Sequence, residues 1–261
     1  MAESSDQRTP PVFIIGCGRS GTTLLRMVLD SHRNISCGTE THFLEDMREI
    51  VGKHWDRLEN YGFGKEYWYE RISDFFDDFK SEYARKRGRG RWVEKTPHYT
   101  EHLDFIDRLF PRAQYIHLIR DGRDVVQSYR DRWNFRTALK AAGYWWPVRV
   151  RKARGMGSQV GSERYQEIQY EQLVRNPEPV LRDLLSFLGE QWDPAVLRFD
   201  EEEHDADQFF GEHTEKRREE SGDKSRFYTS SIGRGQNLNP VLKGVLFYQG
   251  GDLMKQLGYS S

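Results

Sequence analysis

Two cysteines, Cys17 and Cys37, are all that this chain of 261 residues contains. They are too few for a disulfide framework and point to a reducing compartment. No apolar run approaches the roughly 18 residues that a membrane span needs, so no spanning helix is expected. Residues 1–11 hold no apolar segment of the signal-peptide kind, which makes a cytoplasmic location the expectation. A surplus of charge is missing too: 40 Lys and Arg stand against 41 Asp and Glu, a net charge of −1. That balance removes any global electrostatic pull toward nucleic acid or a lipid surface, so neither is expected as a partner and basic residues must act locally. Internal repeats and domain linkers are absent as well. Hydrophobic residues make up 36% of the chain, enough for the core of one α/β domain of this length. A single domain over residues 1–261 is expected, with 1–10 as a flexible tail.

The most informative absence is a lysine. Val12 to Leu29, VFIIGCGRSGTTLLRMVL, has the glycine spacing of a phosphate loop, G-x-x-x-x-G-K-[ST], with Gly16, Gly21 and Thr23 in place and Thr22 where the lysine belongs. Val12 to Ile15 reads as a buried strand, and Thr22 to Leu29 as a helix. Glycines between them let backbone N–H groups converge on an anion at the positive helix end. A threonine cannot neutralise the β- and γ-phosphates of a nucleoside triphosphate. The cation inside the loop is Arg19. A nucleotide with a short, differently charged 5′ chain is therefore expected, its transferred group reached by an arginine.

A second block, Gln114 to Tyr129 (QYIHLIRDGRDVVQSY), reads as a strand, Arg120 at its carboxyl end, and a helix carrying Ser128 two turns on. Arg120 and Ser128 can converge on one anion, each charged hydrogen bond contributing roughly 1.5–3 kcal/mol. Taken alone, Arg120 fits better as an ion-pair partner of Asp121 or Asp124 at a solvated helix start; taken jointly with the glycine loop, it does not.

Together these blocks resemble the sulfotransferases that use 3′-phosphoadenosine 5′-phosphosulfate (PAPS). Arg19-Ser20-Gly21-Thr22-Thr23 is similar to the family's 5′-phosphosulfate loop, and Arg120 with Ser128 to its 3′-phosphate site. Tyr170-Glu171-Gln172-Leu173, followed by Asn176-Pro177-Glu178, resembles a segment whose tyrosine helps hold the nucleotide. Tyr228 to Gly233 (YTSSIG) and Arg234 resemble the segment that folds over the cofactor. The resemblance implies cofactor contacts from Arg19, Ser20, Gly21, Thr22, Thr23, Arg120, Ser128, Tyr170, Ser231, Gly233 and Arg234, with Ser230 as an alternative to Ser231. It also implies sulfuryl transfer from PAPS to a hydroxyl or amine, leaving adenosine 3′,5′-bisphosphate (PAP). Glu40, in CGTET, matches the catalytic glutamate of tyrosylprotein sulfotransferases, and a general base contributes roughly 10²–10⁴-fold. An N-terminal carboxylate for the next helix is its structural alternative, and His42 is a second candidate base. Lys95, in VEKTP, matches a lysine placed beside the bridging oxygen, where with Arg19 it would meet developing charge. Ser231 is a candidate for modulating that lysine. No metal is required in this scheme.

Rival signals are present. His98-Tyr99-Thr100-Glu101-His102 spells H-x-x-E-H, a zinc-enzyme signature, and the glycine loop leaves a kinase as the alternative reading. Lys86 to Arg91 (KRGRGR) reads as a solvated connector, and Asp200 to Arg226 as an exposed, mobile loop leading into a closing segment.

Strand signals at Asn34–Thr41, Arg91–Glu94, Gln114–Ile119 and Gln166–Tyr170 alternate with helical stretches, including Pro97–Phe110, Glu171–Leu188 and Pro240–Leu257. Glu45 to Arg87 is polar and aromatic and reads as two or three helices. The fold expected is α/β: a P-loop-type parallel β-sheet flanked by helices, with a helical insertion and ligands at the carboxyl ends of the strands. The acceptor expected is a small molecule, glycan, lipid or peptide hydroxyl. Aromatics from Trp55 to Phe79 and Tyr144 to Trp146 could line its pocket or pack the helices.

Overall fold

Five short strands form one sheet: β1 (Val12–Ile15), β2 (Ile35–Ser36), β3 (Arg91–Glu94), β4 (Gln114–Ile119) and β5 (Tyr165–Gln169). The computed structural model describes residues 9–201, 204 and 226–259. All strand pairs are parallel, in the order β2-β3-β1-β4-β5. Every residue of β1 and β3 is buried, as strands covered on both faces must be. After β1 the chain builds β2 and β3 on one side and then crosses to β4 on the other. The switch point therefore falls at the carboxyl end of β1, where open α/β sheets hold their ligands.

Helices cover both faces. α1 (Thr22–Asp30) follows the loop after β1, and α2 (Phe43–Lys53), α3 (Trp55–Leu58) and α4 (Lys65–Lys86) form the helical insertion between β2 and β3. A 3₁₀ segment, Pro97–His102, leads into α5 (Leu103–Leu109). Between β4 and β5 run α6 (Gly122–Arg132), α7 (Phe135–Lys140), a π-turn at Ala141–Trp145 and α8 (Trp146–Val160). After β5 come α9 (Tyr170–Arg175), α10 (Pro177–Leu188), 3₁₀ segments at Pro194–Glu201 and Thr229–Ser231, and α11 (Pro240–Gln256).

Alternate residues of β1 feed opposite layers, as strand geometry requires. Val12 and Ile14 pack with Leu25, Leu29, Leu181 and Leu185. Phe13 and Ile15 face the insertion, in a cluster with Phe76, Trp92, Phe110 and Tyr115. Much of the aromatic content of Glu45–Arg87 is therefore packing, although Tyr61, Phe63, Phe75 and Phe79 remain exposed. A third cluster centres on Trp146, which is fully buried between α6 and α11.

Four expectations need correction. The helix expected over Pro97–Phe110 begins as a 3₁₀ segment and changes at His102, whose φ of −129° and ψ of 32° interrupt it. The helix expected over Glu171–Leu188 is two helices. Pro177 pushes Asn176 out of the helical region, to φ −133° and ψ 60°. Nor is Lys86–Arg91 a solvated connector. Arg87 pairs with Asp30 at 2.6 Å, Arg89 donates to the His32 carbonyl, and buried Arg91 donates to the Pro10 carbonyl at 2.9 Å. The expected second strand is also shorter than Asn34–Thr41. Most of Asp200–Arg226 lies outside the described residues.

Candidate active site

The loop after β1 is shaped by two glycines. Gly16 has φ 139°, and a Cβ there would meet the Leu118 carbonyl oxygen at 2.5 Å. Gly21 has φ 97°, and a Cβ there would run into the Tyr170 ring. Only glycine satisfies both the backbone and the space at these points. Arg19 holds φ 69° without being glycine, a strained conformation of the kind found at ligand sites. Thr100 fixes the start of the loop: its hydroxyl accepts from the Gly16 N–H at 2.9 Å and lies 3.1 Å from the Gly16 carbonyl, to which it donates.

Arg120 sits where β4 ends and is 5% exposed. Its Nη1 donates to the Arg19 carbonyl at 3.1 Å and its Nη2 to the Ser231 carbonyl. The guanidinium lies over the Tyr170 ring at 4.6 Å, and the Asp124 carboxylate stands 3.7 Å away. Arg19 Nε donates to Ser128 Oγ at 3.1 Å. Arg19, Arg120, Ser128, Tyr170 and Ser231, drawn from four separate chain segments, are thus brought together. Ser231 is buried and Ser230 exposed, so Ser231 is the residue packed against Arg120. Asp124 accepts from the Gly233 and Gly235 N–H groups at 2.9 and 2.7 Å, anchoring the closing segment to α6. Arg234 pairs with Asp131 at 2.8 Å, one helical turn beyond Ser128 and on the outer surface. Buried Ser20 Oγ and Arg120 Nε make no hydrogen bond among the described residues. Buried polar atoms without partners are costly, and here two of them sit where an anion is expected.

The second half of the site joins β3 to the segment after β2. Lys95, 1% exposed, donates to Glu40 Oε1, and its Nζ also lies 3.4 Å from Thr23 Oγ1. A cation missing from the loop's own sequence is therefore supplied beside it from the neighbouring strand. Glu40 does not cap α2. That position belongs to His42, at φ 54°, which makes no side-chain cap bond. Beneath the pair, the buried Glu94 carboxylate accepts from Lys80 at 2.6 Å, from Thr96 at 2.6 Å and from Thr41 at 3.3 Å. Thr41 follows Glu40 and Thr96 follows Lys95, so one carboxylate registers both catalytic candidates.

Sequence reasoning passed over Glu94 and Lys80, weighed Asp124 only as an ion-pair partner of Arg120, a pair the structure does form at 3.7 Å, and took Trp146 only as pocket lining or helix packing. Glu94 gave a signal, a carboxylate on a strand with no exposed face. Trp146 gave none for its contact with Arg120, whose carbonyl accepts from its Nε1 at 2.9 Å. Burial pushes the Cys17 thiol up to about 11 and the Cys37 thiol up to about 12, so both stay protonated at neutral pH and neither is a nucleophile. The H-x-x-E-H motif is not assembled as spelled, because Arg149 holds Glu101 through Nε at 2.9 Å and Nη2 at 2.7 Å.

A parallel sheet with a lysine-less glycine loop at its switch point, and Arg120 and Ser128 beside it, defines a P-loop-type α/β fold. A model of the sulfotransferase family matches residues 10–194, and the chain belongs to that family. It is 30% identical to a protein-tyrosine sulfotransferase of Drosophila melanogaster over 210 residues, covering 76% of this chain and 42% of that one. Human protein-tyrosine sulfotransferase 1 is 32% identical over 209 residues, covering 74% and 54%. The chain spans about half the length of these curated relatives. Among solved structures, the sulfotransferase domain of the olefin synthase of Synechococcus PCC 7002 superposes with a TM-score of 0.68 at 24% identity, covering 97% of this chain and 98% of that one. A mouse sulfotransferase complexed with PAP superposes with a TM-score of 0.52 at 13% identity, covering 97% and 90%. Both share the fold. Family membership removes the reason for the kinase alternative.

Proposed function

We propose that this chain transfers a sulfuryl group from PAPS to a hydroxyl acceptor in one in-line displacement. The observation that carries the reading is the convergence of Arg19, Ser128 and Arg120 at the switch point of the sheet, where buried Ser20 Oγ and Arg120 Nε make no hydrogen bond among the described residues. Ser20, Thr22 and Thr23 and the loop N–H groups would hold the 5′-phosphosulfate, and Arg120 with Ser128 the 3′-phosphate. Tyr170, Ser231, Gly233 and Arg234 would close over the nucleotide.

Glu40 takes the proton of the acceptor hydroxyl as its oxygen bonds to sulfur and the sulfur–oxygen bond to the 5′-phosphate breaks. Lys95 and Arg19 meet the negative charge that the leaving phosphate gains. Lys95 then has two tasks, since its ammonium also binds Glu40 and so positions that carboxylate. The acceptor we favour is the phenol of a tyrosyl peptide, supported by the 30% and 32% identity to protein-tyrosine sulfotransferases. We also propose a cytoplasmic setting, in keeping with two cysteines that are separate buried thiols.

Calorimetric titration with PAP, alongside ADP with magnesium, tests the donor site without an acceptor. Tight PAP binding in the absence of metal with weak ADP binding is the expected result, and the reverse preference overturns it. Sulfuryl transfer from PAPS to a tyrosyl peptide, compared with a sugar and a simple phenol, then tests the acceptor.

A further inference from the structure

The two histidines of the H-x-x-E-H motif do converge on a carboxylate, but on one from another element. Glu45, in the first turn of α2, faces three imidazoles. Its Oε2 lies 3.5 Å from His42 Nδ1 and 3.8 Å from His98 Nδ1, and its Oε1 lies 3.9 Å from His102 Nε2. The ligand atoms offered by His42, Glu45 and His98 all lie within 4.8 Å of one another. We propose that His42, Glu45 and His98 bind a divalent transition-metal ion of the zinc type beside Glu40.

Spacing is the first support. A four-coordinate ion with bonds of about 2.0–2.2 Å keeps its ligand atoms roughly 3.3–3.5 Å apart. Separations of 3.5 and 3.8 Å are long for direct hydrogen bonds and near that spacing, so small rotations of three partly exposed side chains complete the geometry. Two imidazoles and a carboxylate suit zinc and its neighbours rather than magnesium or calcium.

The far side of His42 is the second support. With Nδ1 turned toward Glu45, its Nε2 lies 3.6 Å from Glu40 Oε2. An imidazole that binds metal through one nitrogen carries its proton on the other and donates it to an outer carboxylate. Glu40 stands where that carboxylate is needed. Glu101 does not compete, because Arg149 holds it. His102, on the other oxygen of Glu45, is placed to orient that carboxylate. When bound, the ion fixes His42 as a donor to Glu40, which bars His42 from acting as the base and steadies Glu40 in its place.

The site does not depend on the sulfuryl-transfer reading, and its test needs no nucleotide. The full chain is titrated with zinc ion alone in a non-chelating buffer by calorimetry, and with cobalt(II) by visible absorption. One saturable equivalent is expected, with the intense visible bands of four-coordinate cobalt. Glu45→Gln and His98→Ala should each weaken zinc binding at least about tenfold. His54→Ala, at the other end of α2, should leave it unchanged, and circular dichroism checks that each variant is folded. Absence of a saturable equivalent, or equal zinc binding by wild type, Glu45→Gln and His98→Ala, overturns the assignment.

Discussion

Replacing Arg120 by alanine should separate two roles of one side chain, provided the loss is measured for two ligands. Nη1 and Nη2 hold the carbonyls of Arg19 and Ser231, and so shape the loop and the closing segment for any nucleotide. Those two charge-assisted bonds to carbonyls contribute about 1.5–3 kcal/mol each, a loss that falls on every ligand alike. The Nε atom is buried with no hydrogen bond among the described residues, and the guanidinium charge is what a 3′-phosphate would meet. That charged contact is worth roughly 1.5–3 kcal/mol. Calorimetry of wild type and variant with PAP, and with AMP, which lacks the 3′-phosphate, forms a cycle in which the shared loss cancels. The preference for PAP over AMP should fall by roughly 10- to 150-fold, at 1.4 kcal/mol per factor of ten. Ser128→Ala, a milder change on the same anion, should lower the same preference by a smaller factor and keeps the test valid if Arg120→Ala folds poorly. Equal losses for PAP and AMP in both variants would refute the 3′-phosphate assignment.

Three further outcomes are expected. Glu40→Gln should lower kcat for transfer to a tyrosyl peptide by roughly 10²–10⁴-fold while PAP affinity stays within a few-fold, and a fall of less than tenfold would exclude Glu40 as the base. Lys80→Met breaks the buried pair with Glu94 and should cost about 3–5 kcal/mol in urea denaturation, part of which Glu94→Gln should restore in the double variant. The Asp30 carboxyl is pressed upward by burial, but hydrogen bonds from His204, Arg87 and the Cys37 N–H hold it well below its ordinary value of 3.8. A depressed carboxyl contributes stability above that value and loses it as pH falls below, so wild type should lose more stability between pH 5 and pH 3 than Asp30→Asn, and parallel losses would remove the role.

The phosphate loop could be read from the sequence because its information is local. Glycine spacing between an apolar strand and a helix specifies a backbone shape, and Arg120 with Ser128 lie eight residues apart across one strand-to-helix turn. For the same reason β3 and β4 were legible to the residue, and Pro177 marked a helix break that the apolar periodicity alone concealed. What the sequence could not carry were relations between distant segments. Lys95 reaches Thr23 of the loop only because β3 lies beside β1 in the sheet. Glu94 serves both Glu40 and Lys95 only because β3 brings their following threonines to one buried carboxylate. The arginines of KRGRGR read as solvated because charge predicts exposure, yet carbonyls and a carboxylate from other elements bind them. His98 and His102 were spelled with the wrong glutamate, since Arg149, from α8, takes Glu101 and α2 delivers Glu45. Local backbone preference and apolar periodicity act within a few residues and so are written in sequence order. The pairing of buried charges depends on which chain segments pack together, and that was decided by the sheet order and the helices laid across it.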